Sequence, residues 1–97
     1  MAFVRLALFP DGTAAQYEAL ASELAGSPTP ADRLVFAAGP VDGGWQVVQV
    51  WRSRDALDAF NAAHLLPALR RLGDRGFPRP PQVTDLEPVV LEIPWQR

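Results

Sequence analysis

The chain contains no cysteine, and that absence alone removes disulfides, thiolate metal sites, iron–sulfur clusters and a cysteine nucleophile. Lack of disulfides suits a reducing compartment, and a cytoplasmic location is expected. Histidine occurs once, at His64, with no second imidazole and with Asp58 and Asn61 placed off its helical face, so no metal site is expected. Nucleophile-elbow, phosphate-loop and dinucleotide signatures are missing as well. No run of eighteen apolar residues is present to span a bilayer, and no membrane partner is expected. Basic excess is also lacking: nine basic and eleven acidic residues give a net charge of −2, which argues against a nucleic-acid partner. The one basic cluster, Arg70, Arg71 and Arg75, is diluted by Asp74 and reads as a solvated helix end.

What is present is ordinary globular composition, 48% hydrophobic and 21% charged, in 97 residues that suit a single domain over 1–97. Met1 to Phe9 is apolar enough to suggest a signal peptide, but Arg5 interrupts it and Pro10-Asp11-Gly12 ends it without a small-residue cleavage site. It reads as a strand, with Phe3, Arg5, Ala7 and Phe9 on one face and Val4, Leu6 and Leu8 on the other. Thr13 and Gln16 form a capping-box pair, so a helix begins near Ala14 and ends before Gly26-Ser27-Pro28-Thr29-Pro30. Leu34–Ala38 and Trp45–Trp51 read as a hairpin joined through Gly39–Gly44. Ser53 caps a second helix that should kink or restart at Pro67 and end at Gly73. Gly76–Pro81 is an extended proline-rich loop, and Gln82–Pro94 is strand-like, with Pro88 demanding an edge position or a bulge.

Strand, helix, strand, strand, helix, strand is the split βαβ order: an α+β, ferredoxin-like domain with an antiparallel sheet and two helices on one face. A monomer of this type leaves its second sheet face to water, yet both faces here are apolar. Burying such side chains is worth roughly 1.5–3 kcal/mol each, and a two-fold partner is the simplest cover, which predicts a sheet-to-sheet homodimer. The Phe3/Arg5/Ala7/Phe9 face is expected to meet the partner or a cavity, away from the helices.

The chain resembles the dimeric α/β-barrel superfamily, and most closely its antibiotic biosynthesis monooxygenase-like branch. The resemblance is carried by the opening strand before Gly12-Thr13, by Gly39-Pro40-Val41-Asp42-Gly43-Gly44-Trp45, by Val48 to Leu57 (VQVWRSRDAL), by Pro67-Ala68-Leu69 with Leu72-Gly73, and by the proline-led last strand. It implies a homodimeric barrel with a ligand pocket, and in several members oxygenation of electron-rich polyketide phenols without metal or flavin. The histidine that relatives often carry nine residues after the tryptophan of the third strand would fall at Phe60. Their last-strand histidine or asparagine is replaced by Val90 and Leu91, and the first-strand asparagine of the haem-degrading members by Arg5. Those catalytic residues do not transfer.

The remaining candidates come from the residues themselves. His64, the only imidazole, offers a proton acceptor for a phenol, or is simply packed. Arg5 needs an anion: either Asp85, Glu87 or Glu92 on the last strand, or an enolate or phenolate ligand. Gln49 among Trp45 and Trp51 combines flat apolar walls with a donor and acceptor, as an aromatic-ligand pocket or a dimer interface would. Tyr17 is a core residue or a proton donor to a ligand. Asp42 is a turn residue without chemistry. Two readings follow: a small cofactor-independent enzyme of monooxygenase or cyclase/isomerase type acting on an aromatic molecule, and a non-catalytic dimeric binding or structural module. Haem binding would require a second residue beside His64.

Overall fold

A computed structural model of the chain describes residues 1–93. The elements are β1 (Phe3–Pro10), α1 (Ala14–Leu24), β2 (Arg33–Val41), β3 (Gly44–Trp51), α2 (Arg54–Phe60), α3 (Leu66–Leu72) and β4 (Gln82–Leu86), with a π-helical turn at Asn61–Leu65 between α2 and α3. The strands form one antiparallel sheet in the order β2-β3-β1-β4, the ferredoxin-like arrangement expected from the element order. Both helix starts are set locally. Gln16 N–H donates to Thr13 Oγ1 at 3.2 Å while Thr13 N–H donates to Gln16 Oε1 at 2.9 Å, and Ser53 Oγ accepts from Ala56 N–H at 3.1 Å. Each cap satisfies backbone donors that a helix start leaves free.

Pro67 acts one turn earlier than its own position. It lacks the N–H that an α-helix needs there, and the chain widens ahead of it, so that Leu66 N–H donates to the Asn61 carbonyl. The helix continues through this π turn without a break.

The β2–β3 hairpin is tighter than expected. Residues 39–41 belong to β2, and only Asp42-Gly43 forms the turn. Gly43 takes φ of 87°, a left-handed conformation that glycine adopts without steric cost. At Gly44 a Cβ would lie 2.1 Å from the Phe9 carbonyl oxygen, so only glycine allows β3 to approach β1 there. Pro40 is tolerated because β2 is an edge strand. β4 is the other edge and stops at Leu86, short of Pro88; the expected strand over Gln82–Pro94 is therefore five residues long, and Pro94 lies outside the described residues.

The sheet faces are the reverse of the sequence expectation. Phe3, Ala7, Trp45, Val47 and Trp51, all buried, lie beneath the helices. Phe3 and Trp51 pack with Leu57, Ala7, Trp45 and Val47 pack with Tyr17 and Phe77, and Leu20, Ala68 and Leu72 hold α1 against α3. Val4, Leu6, Leu8 and Val48 form the outer face and are half-buried. Both faces of β1 are apolar, so alternation showed which residues share a face but not which face the helices cover.

Candidate functional site

Between the helices and the sheet lies a partly open cavity of about 470 Å³, within the range of small-molecule sites. Strand register builds its floor. Phe36 on β2 pairs with Gln49 on β3, Gln49 pairs with Arg5 on β1, and Arg5 pairs with Asp85 on β4, so one row of side chains crosses all four strands. The next row is small and apolar, with Val47, Ala7 and Val83 in register. Tyr17, Leu20 and Leu24 of α1, Asn61 and Leu65 of the π turn, and Leu69 of α3 supply the roof.

The polar groups on this floor are fixed to different degrees. Arg5 Nε and Nη2 donate to Asp85 Oδ1 and Oδ2 at 2.9 and 3.0 Å, a bidentate pair in which the two side chains are 18% and 28% exposed. The Asp85 hydrogen bonds raise the pKa of Arg5 against the opposing effect of burial, and the same contacts hold the Asp85 carboxyl below its usual range. Trp51 Nε1–H donates to Gln49 Oε1 at 2.9 Å. An indole nitrogen only donates, so this bond engages the amide oxygen of Gln49 and leaves its NH₂ group without a hydrogen-bond partner among the described residues, on a side chain that lines the cavity.

Tyr17 stacks on Trp45 with ring centroids 5.1 Å apart. Burial pushes its phenol pKa up, and the charge of Arg33 pulls it partly back. Arg33 itself lines the cavity, its Cζ standing 4.4 Å from the Phe36 ring centroid, 5.9 Å from that of Phe60 and 6.0 Å from that of Trp51. Burial lowers its pKa, opposed by Tyr17. A cavity walled by aromatic and aliphatic carbon, with an amide donor, a phenol and a guanidinium on its surface, is suited to a planar ligand bearing acidic or carbonyl oxygens.

No protein-family model matches the sequence, and no curated protein matches it. Solved structures do match over nearly the whole chain. A Chloroflexus aurantiacus protein provisionally named as an antibiotic biosynthesis monooxygenase is 16% identical, with 95% of this chain and 97% of that one covered and a TM-score of 0.67. The chain has the antibiotic biosynthesis monooxygenase-like fold. Two further structures with this fold are SnoaB, a cofactor-independent oxygenase from Streptomyces nogalater solved as a variant (17% identity, 93% of each chain, TM-score 0.60), and the monooxygenase from the gene ActVA-Orf6 of Streptomyces coelicolor in complex with nanaomycin D (22% identity, 96% of this chain and 91% of that one, TM-score 0.57). Identities this low establish the fold, and chemistry has to be argued from the site.

Of the residues singled out in the sequence, Arg5, Tyr17 and Gln49 line the cavity. Arg5 and Gln49 do so on the helix side of the sheet, which corrects the expectation that their sheet face turns away from the helices. The anion for Arg5 is Asp85, as its structural reading had it. Trp45 and Trp51 are not lining residues. Trp51, 1% exposed, stands at one end of the floor and acts through Gln49, while Trp45 backs Tyr17 with its buried indole N–H lacking an acceptor among the described residues. His64 is half-buried beside Phe60, ring centroids 5.3 Å apart, and lies outside the cavity lining, so it is not placed to take a proton from a ligand there.

Arg33 and Asn61 were missed. Reading the strand from Leu34 left Arg33 in a loop, and the π turn that carries Asn61 has no sequence signature beyond Pro67. Among the described residues no group of three or more potential metal ligands comes together.

Proposed function

We propose that the chain binds a planar, polyketide-like aromatic molecule in the cavity and oxygenates it without a cofactor, as a homodimer whose partner covers the outer sheet face. The observation that carries this reading is the cavity surface, where the Gln49 amide, held by Trp51, lies on the floor and a guanidinium and a phenol share the same apolar lining. Such a surface favours the ionised form of an acidic phenol or enol, because donors and positive charge stabilise the anion within a low-dielectric site. An electron-rich anion of this kind is itself the reductant for dioxygen. A ring CH₂ between two aryl groups conjugated to a carbonyl is oxidised to C=O, one oxygen atom entering the product and the other leaving as water with the two hydrogens. The chain's residues bind, orient and stabilise the anion, and the electrons come from the substrate. The fold shared with SnoaB and the ActVA-Orf6 monooxygenase supports the same kind of reaction.

A binding module without turnover is the second reading, favoured by the position of His64 outside the cavity. Incubation with a hydroxyanthrone under isotopically labelled dioxygen separates the two. We expect oxygen uptake matched to carbonyl formation, one labelled atom in each newly formed carbonyl and none in the carbonyl already present, and a rate well above that in buffer. Saturable quenching of tryptophan fluorescence by hydroxyanthrones with no rate above buffer would replace the enzyme with the binding module, and absence of any quenching would remove the cavity as a ligand site.

A further inference from the structure

Among the described residues, the arginines divide by what neutralises them. Arg5 is paired with Asp85, Arg71 and Arg75 with Glu23, Arg52 with Asp32, Arg54 with Asp58 and Arg79 with Asp11. Arg70 has no such partner but is exposed to water. Arg33 alone among these is half-buried without a carboxylate. A register shift in β2 between Arg33 and Val35 puts it there. Arg33 pairs with Trp51 and Phe36 with Gln49, so both lie on the helix face although three residues separate them. Simple alternation would turn one of them outward; the extra residue at Leu34 re-aims Arg33 toward the cavity, a recurrent use of β-bulges.

The aromatic rings around Arg33 do not complete its needs. Ring faces attract the guanidinium through its π surface, but its five N–H donors lie in the guanidinium plane and require oxygen acceptors. Its side chain donates no hydrogen bond to any described residue, whereas Arg5, on the same cavity, has two to a carboxylate. Burial works against its charge, and an anion brought into the cavity relieves that penalty. The planar fork of a guanidinium matches two coplanar oxygens sharing one charge.

We propose that Arg33 is a carboxylate anchor, and that the cavity takes planar aromatic acids whose ring system rests on the apolar floor while the carboxylate meets the guanidinium fork. This rests on the cavity being the ligand site, and it narrows the substrate class to aromatic acids.

The test uses 2-naphthoate and its neutral counterpart 2-naphthamide as probes, with binding read by tryptophan quenching at pH 7.5 and fixed protein concentration. The full chain is expected to bind the carboxylate roughly ten- to hundredfold more tightly than the amide, the range for charge-assisted hydrogen bonds. Arg33→Met should abolish that preference while changing amide affinity by less than about threefold. Arg33→Lys keeps a charge without the fork and should retain only part of the preference; it also supplies the comparison if the Met variant does not fold. Equal binding of both probes by the parent overturns the anchor and leaves the cavity as a neutral aromatic site. Full preference retained in Arg33→Lys and Arg33→Met also overturns it, placing the anion on another group. Binding of neither probe defeats the cavity as a ligand site, and the anchor with it.

Discussion

Asp85→Asn is the most informative single change for the architecture of the cavity, because it keeps the shape of the side chain that ties β4 to β1 and removes only its charge. Arg5 and Asp85 are 18% and 28% exposed, so the variant leaves a guanidinium largely withdrawn from water facing a neutral amide. Breaking one side of such a pair costs about 1–3 kcal/mol. For a domain of this size that lowers Tm by roughly 5–15 °C. The pH dependence identifies the cause. Hydrogen bonds from Arg5 hold the folded Asp85 pKa below its ordinary value, so the pair stabilises the fold above the unfolded value of about 3.9 and loses this contribution as pH falls through the lower folded value. Urea unfolding followed by tryptophan fluorescence, at one protein concentration, should give a large gap between parent and variant at pH 7 that closes in strong acid, where protonated Asp85 resembles asparagine. The double replacement Arg5→Met with Asp85→Leu should recover much of the loss, since an apolar pair removes both desolvation penalties. Equal stability of parent and Asp85→Asn at pH 7, or a gap undiminished at low pH, would refute the reasoning.

Gln49 offers a second test that separates binding from folding: Gln49→Leu should weaken a phenolic ligand up to about tenfold and also cost about 1–3 kcal/mol in urea unfolding, because it strands the buried Trp51 N–H. Gln49→Glu keeps an acceptor for Trp51 and should unfold close to the parent, yet it should lose more than about tenfold in affinity for an aromatic anion, since its second oxygen repels that anion; equal losses in both variants would contradict the assigned amide orientation. The apolar outer face of Val4, Leu6, Leu8 and Val48 predicts twice the chain mass by light scattering coupled to size exclusion at micromolar concentration, and a monodisperse monomer would remove the partner.

The fold was legible because local signals agreed with one another. Thr13 with Gln16, Ser53, Pro67 and the glycines around Trp45 each mark a boundary for a local reason, and the element order then leaves little choice of topology. Face assignment was not legible: Phe3/Ala7/Phe9 and Val4/Leu6/Leu8 are both apolar, and period-two alternation carries no sign that distinguishes helix side from outer side. The pairing of Arg5 with Asp85 could be anticipated from charge alone, since a guanidinium on a buried strand needs an acid and β4 offers few. Arg33 could not, because the bulge at Leu34 shifts the alternation by one residue and the bulge has no signature in the sequence. His64 drew attention for its chemistry, but its position on the π turn directs it against Phe60 and away from the floor.

These same residues account for the existence of a cavity in a domain that could have closed. Large rings stand at the two ends of the β1–β3 ladder, Phe3 opposite Trp51 and Phe9 opposite Trp45, and each end carries its own packed cluster, with Leu57 and Phe60 over one and Tyr17 and Phe77 over the other. Between them the floor falls to Ala7 and Val47, with Arg5 drawn sideways to Asp85 and Gln49 tied back to Trp51. The helices therefore rest on the two ends and on each other through Leu20, Ala68 and Leu72, and cannot descend into the middle without displacing aromatic rings from tight contact. A void of this size in a core would ordinarily be costly, but here its surface carries donors that an apolar core would exclude: the Gln49 amide, the Tyr17 phenol and the Arg33 guanidinium. The sheet thus pairs rigid ends with a low centre, and donors from both the sheet and α1 line the space above it, so that space is structurally protected and chemically directed toward a flat, oxygen-bearing anion.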